Sequence, residues 1–156
     1  MKRSEIRENI FKLVFCGEFH SMDEIPEQVS CYFEELPEVT EEEHSYMTEK
    51  FNCIKERIGE LDEKINSVAK GWKTARMGKA ELAILRLAVY EMLYDDEVPV
   101  KVAINEAVEL AKKYGTGEDA SFINGLLGTV AKKLEQEGGV EKKERKEQAD
   151  GAVSGD

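Results

Sequence analysis

Apolar residues recur at steps of three and four along most of this chain, the spacing of helices that each bury one face. Ile6, Ile10, Leu13 and Val14 form a first stripe, widened by Phe11 and Phe15. Ile25, Val29, Tyr32, Phe33 and Leu36 form a second. Thr40-Glu-Glu-Glu43 fits a capping box, in which hydroxyl and carboxylate satisfy each other's backbone N–H; Met47, Phe51, Ile54, Ile58 and Leu61 follow at helical steps. A shorter segment carries Ile65 and Val68. From Ala80 to Leu93 the pattern is almost continuously apolar, "AELAILRLAVYEML", which predicts a central helix buried on most sides. Pro99 opens a further helix through Ala103, Ala107, Leu110 and Ala111, with Lys112 and Lys113 suited to its carboxyl end and Gly115 as its stop. Asp119 or Ser121 caps a last helix that fades near Gln136. No stretch alternates long enough to build a sheet, so the expected fold class is all-α with about seven helices in residues 1–137. Residues 138–156, "GGVEKKERKEQADGAVSGD", bring no large apolar side chain and are expected to form a disordered charged tail.

The length of 156 residues allows one well-buried domain rather than two of typical size. A net charge of −11 argues against a nucleic-acid partner until its distribution is seen. Residues 13–49 hold eleven acids and no Lys or Arg, while the other 119 residues carry 22 acids and 22 bases. One acidic flank therefore makes the whole imbalance, and a local basic surface elsewhere stays open. No run approaches a membrane span, and "MKRSEIRENIFKLVF" carries Glu5 and Glu8 with no cleavage signal, so the cytoplasm is the expected compartment. Cys16, Cys31 and Cys53 are odd in number with no C-x-x-C, and read as small buried apolar residues.

Catalytic residue types are sparse. His20 and His44 are the only histidines; the single E-x-x-H, Glu41 to His44, opens a helix in an acidic run and lacks the second pair of a di-iron bundle. "YGTGED" lacks the Lys-Ser/Thr of a phosphate loop. The expectation is no enzyme, no metal and no cofactor.

Four blocks together carry a resemblance: Trp72, "LAILRLAVYEM" at 82–92, "VPVKVAINEAVELAKKYG" at 98–115 and "SFINGLLGTV" at 121–130, with "RENIFKLVF" at 7–15 upstream. In this order and spacing they closely resemble the NusB family of bacterial transcription antitermination factors, over roughly residues 2–134. The same fold fronts a family of rRNA cytosine methyltransferases, for whose catalytic domain this chain has no room. The resemblance implies two small packed helical bundles and a non-catalytic adaptor. It would pair with NusE, a small-subunit ribosomal protein, and bind single-stranded boxA leader RNA of rRNA operons. NusA, NusG and RNA polymerase would complete the assembly. It also implies that the free protein can form a homodimer, as some relatives do. The alternatives are a structural protein-interaction module, or an accessory to rRNA modification, without direct RNA binding.

Residue by residue, Lys2, Arg3, Arg7 and Lys12 against Glu5 and Glu8 leave the amino-terminal segment net positive, and Arg3 and Arg7 can share a helix face. Alone this is equally an ordinary charged helix; the resemblance assigns Lys2, Arg3 and Arg7 to RNA. Phe122 is expected near a helix amino end, where free N–H groups favour phosphate and a ring can stack on a base, although a buried Phe reads the same way. Ser121, Asn124 and Lys101 are the accompanying polar contacts. Gly125 is expected to face the 80–93 helix at close backbone approach. Arg86, Asn105 and Glu106 (or Glu91) are expected to form an internal polar clamp. Phe15 and Glu81 fall at positions that resemble the NusE-facing surface.

Overall fold

A computed structural model of the chain describes residues 1–36, 38–69, 71 and 73–137. Trp72 and the tail at 138–156 lie outside them. The described residues form seven α-helices and one 3₁₀ turn, with no strand. They divide into two compact units, residues 1–58 and the residues from Gly59 on.

The first unit holds α1 (Arg3–Gly17), α2 (Ile25–Glu35) and α3 (Glu41–Glu56). The stripes meet as their spacing requires: Ile10, Leu13 and Val14 of α1 are buried, as are Met47, Phe51 and Ile54 of α3. The capping box forms, with Glu43 N–H donating to Thr40 Oγ1 at 3.1 Å and Thr40 N–H to Glu43 Oε1 at 3.0 Å. α2 buries only Ile25 fully, and the Tyr32 hydroxyl ties it to Asn9 of α1. The stripe predicted to run on through Leu61 is broken. Arg57 leaves helical geometry at φ −109°, and a new helix, α4 (Ile58–Val68), begins at once.

The rest of α4 belongs to the second unit with the 3₁₀ turn (Thr74–Arg76), α5 (Lys79–Tyr94), α6 (Val100–Tyr114) and α7 (Gly117–Glu137). The Asn66 amide holds the 3₁₀ turn by accepting from Thr74 N–H at 2.8 Å. α5 buries twelve of its sixteen residues, which answers to its unbroken apolar pattern. Pro99 is the N-cap of α6 rather than its first residue, and Gly115 closes that helix by donating to the Ala111 carbonyl at 2.8 Å. α6 turns Ala103, Ala107 and Ala111 inward, all nearly inaccessible, so that its neighbours can approach closely. α7 supplies Ile123, Leu127 and Val130, each fully buried. A Leu or Ile so buried contributes roughly 1.5–3 kcal/mol.

Arg86, the cation of the expected clamp, is paired with a carboxylate of α4 that the sequence does not single out. Arg86 of α5 donates to Asp62 of α4 through Nε at 2.8 Å and Nη2 at 2.7 Å, a two-toothed pair. Asn105 is exposed and therefore not part of a buried clamp; Glu106 is half-buried. Burial pushes the Asp62 carboxyl up, to about 6, and the Arg86 guanidinium down.

A second polar tie joins α5 to α7. Glu81 accepts from the Gly78 backbone in the first turn of α5, and its carboxyl is hydrogen-bonded to that of Asp119 in the first turn of α7. Burial, then the Asp119 bond and charge, raise Glu81 to about 7. Asp119 is held below its ordinary value, first by the Thr116 N–H. The proton of the pair therefore resides on Glu81.

Two predictions come from these ties. Asp62→Ala removes the two-toothed carboxylate partner of Arg86 and should lower the unfolding free energy by about 3 kcal/mol. Adding Arg86→Met should recover much of that; urea denaturation of both variants is the measurement, and an unchanged single variant would sink the assignment. For Glu81, the folded value lies above the unfolded one. Its contribution is complete below about pH 4.5 and is lost as pH rises through about 7. Glu81→Gln keeps the hydrogen bond without the titration, so its melting temperature relative to the parent should climb from about pH 5 to about pH 8. A difference independent of pH would contradict the shared proton.

Candidate nucleic-acid interface

In the first unit, Lys2 is the extended residue preceding α1, and Lys2 and Arg3 are both exposed. Arg7 is not. It is only 9% exposed and has a partner within the chain, so the face expected to carry Arg3 and Arg7 together is not a surface stripe. The structural reason is position: Arg7 lies one turn before the buried Ile10 and Phe11 and is drawn against the same core. Glu5 is exposed beside the two cations, so the positive surface here is small.

In the second unit, α7 starts earlier than its sequence suggests. Thr116 caps it: Asp119 N–H donates to Thr116 Oγ1 at 3.1 Å and Thr116 N–H to Asp119 Oδ2 at 2.9 Å. Phe122 is therefore well inside the helix, and the expected phosphate seat on free N–H groups at this residue does not exist. What the helix presents instead is an uncharged face. Between Asp119 and Lys132 no residue is charged. Ser121, Asn124, Gly125 and Thr129 are exposed on this stretch, and Phe122 is half-buried.

Gly125 overturns its expectation as well. A glycine inside a helix costs roughly 1 kcal/mol relative to alanine. Close approach to α5 is the compensation expected of it. Gly125 is instead exposed, and a Cβ built on it meets nothing within 4 Å. The packing of the second unit does not require it.

Lys101 is exposed in the first turn of α6. An open groove of about 570 Å³ runs between α6 and α7, with Asn105 and Lys112 on one wall and Ser121 and Asn124 on the other. Ser121, Phe122 and Asn124 are thus brought together on neighbouring turns, while Lys2, Arg3 and Phe15 belong to the first unit.

Phe15 is half-buried and stands in an aromatic row on α1, 6.2 Å from Phe11 and 5.1 Å from Phe19 between ring centres. Phe19 is 57% exposed at the outer end. Sequence reasoning passes over it, although the four-residue step from Phe15 is the signal. Nine of the eleven acids in 13–49 are exposed, which makes this flank a negative surface. Cys31 is exposed, against the expectation of burial; Cys16 and Cys53 are half-buried. Among the described residues no group of three His, Cys, Asp or Glu could hold a metal ion. No helix among them is long and apolar enough to cross a membrane.

The chain resembles known proteins over most of its length. The transcription antitermination protein NusB of Lachnoclostridium phytofermentans is 52% identical over 130 residues, covering 83% of this chain and 98% of that protein. The NusB of Agathobacter rectalis is 52% identical over 131 residues, 84% and 100% of the two chains. Among solved structures, T. maritima NusB superposes with a TM-score of 0.73 at 31% identity, covering 85% of this chain and 92% of that one. A chain of the complex of antitermination factors NusB and NusE with dsRNA gives 0.71 at 22% identity, covering 83% and 96%, a likeness of fold. Residues 4–132 match the NusB family, and the chain belongs to that family of transcription antitermination factors, not of enzymes.

Proposed function

We propose that this chain is an adaptor that binds single-stranded boxA leader RNA together with NusE and so supports transcription of rRNA operons, in a larger assembly with NusA, NusG and RNA polymerase. The observation that carries the reading is the uncharged, solvent-facing stretch of α7 around Phe122, in a chain whose residues are 35% charged. A half-exposed ring flanked by Ser121 and Asn124 suits an unpaired base, because every base has a face to stack and edges to hydrogen-bond. Lys2 and Arg3 in the first unit, and Lys101 in the second, are the cations offered to phosphates. Arg7, buried and partnered within the chain, is not counted among these cations.

Phe15, with the exposed Phe19 beyond it, and Glu81 are the residues offered to NusE. An apolar anchor bordered by the acids of 13–49 complements a basic ribosomal protein. A solved complex of antitermination factors NusB and NusE with dsRNA, whose NusB chain shares this fold, supports NusE and RNA as the partners.

Two outcomes are expected. In a gel-shift titration with boxA RNA, affinity should strengthen greatly when NusE is added; equal affinity with and without it would count heavily against the adaptor. Replacing Lys2 and Arg3 by Ala should weaken the ternary complex without affecting NusE binding. The log–log salt dependence should also flatten by about 0.7 for each phosphate of single-stranded RNA that the double variant no longer neutralises. An unchanged slope would place both residues outside the interface.

A further inference from the structure

We propose that Gly125 is a specificity-determining residue of the RNA surface, kept bare so that the sugar and backbone of a nucleotide stacked on Phe122 can lie against the helix itself. This rests on the RNA reading of α7 given above. Gly125 stands three residues after Phe122 and four after Ser121, the spacing of neighbours on one helix face. Helical side chains lean toward the amino end, so a side chain at one position covers the turn before it. Any Cβ at residue 125 would therefore project over the turn that carries Ser121 and Phe122.

Without a Cβ, the helix backbone is bare on this face one turn from Phe122, and no described side chain comes within 4 Å of where that Cβ would stand. Among the described residues none uses that opening. Gly125 is exposed, the space around its absent Cβ is empty of protein to 4 Å, and its φ is not in the left-handed region. Thr129 Oγ1 donates to the Gly125 carbonyl at 3.1 Å, a contact available to any residue type at 125 because it uses only the backbone. A local rule of helix stability is broken at an exposed position with no gain inside the fold, as expected where a ligand rather than packing selects the residue. Stacking alone is indifferent to what the ring's neighbours are. A bare helix beside the ring makes it selective for a nucleotide whose ribose and phosphate can enter the gap.

The test is Gly125→Ala and Phe122→Ala in the full chain, each measured by thermal unfolding and by fluorescence anisotropy with a short single-stranded boxA RNA and excess NusE. For Gly125→Ala, stability and affinity should move in opposite directions. The melting temperature should rise by about 3 °C, and RNA affinity should fall on the order of tenfold. A stabilised Gly125→Ala protein with parental affinity overturns the inference while Phe122→Ala still weakens binding. So does a melting temperature that fails to rise, which would mean that the glycine serves the fold. Parental affinity in both variants removes the RNA reading of this face, and the inference with it.

Discussion

The apolar helix α5 has to be covered on most of its circumference, and that requirement organises the second unit. A helix with one apolar stripe can lie on a surface, but one with twelve of sixteen residues buried needs neighbours on several sides. α6 meets it with alanines, which permit close approach, and α7 with Ile123, Leu127 and Val130. Apolar contact is non-directional and leaves the rotation of α5 against α4 loosely fixed. The two hydrogen bonds from Arg86 to Asp62 are directional, and they select one arrangement. A buried ion pair of this kind contributes less to net stability than apolar residues of the same volume can. Its value here lies in defining which face of α5 points to α4.

Arg86 and Gly125 are both violations of local rules, and they resolve differently. A cation in an apolar helix is costly, and the chain answers it with a carboxylate from its own α4. A glycine in the exposed middle of α7 is costly too, and nothing among the described residues answers it. The same distinction applies on α1. Phe11 is absorbed by the core, whereas Phe19, two turns on in the same aromatic row, is left in solvent. Residues whose cost is met internally hold the fold together. Those whose cost is not met are the ones the proposed function assigns to a partner.

Helix number, the α3 capping box and the burial of α5 are legible in the sequence because each rests on short-range pattern: a three-to-four step, a reciprocal cap, an apolar run. Three features are not, for physical reasons. The break at Arg57 falls within an unbroken apolar spacing, since Ile58 and Leu61 keep the step of α3 while belonging to α4. The start of α7 is ambiguous because Thr116 with Asp119 makes as good a cap as Asp119 or Ser121 alone, and the later start moves Phe122 to a helix end that it does not occupy. The partner of Arg86 is 24 residues away, and a pairing between helices leaves no local trace. For the site, the sequence points to Ser121, Phe122 and Asn124 on one stretch. It does not separate the exposed Arg3 from the buried Arg7, because both fit the same helical face until the core claims one of them.

A chain of net charge −11 is an unusual RNA ligand, and the surfaces described above account for how it can be one. Phosphate attraction grows with the number of cations in contact, and the exposed cations at the start of α1 are only Lys2 and Arg3, with Glu5 beside them. Affinity in the proposed role then leans on stacking at Phe122, which does not depend on net charge. One ring and a few cations make a weak site when they act alone. The exposed acids of 13–49 repel RNA but attract a basic protein, and a basic protein bound there brings its own positive surface to the nucleic acid. In the proposed role the excess negative charge that disfavours RNA binding by the isolated chain also favours a basic partner that offsets it, so that dependence on a second protein follows from the charge distribution.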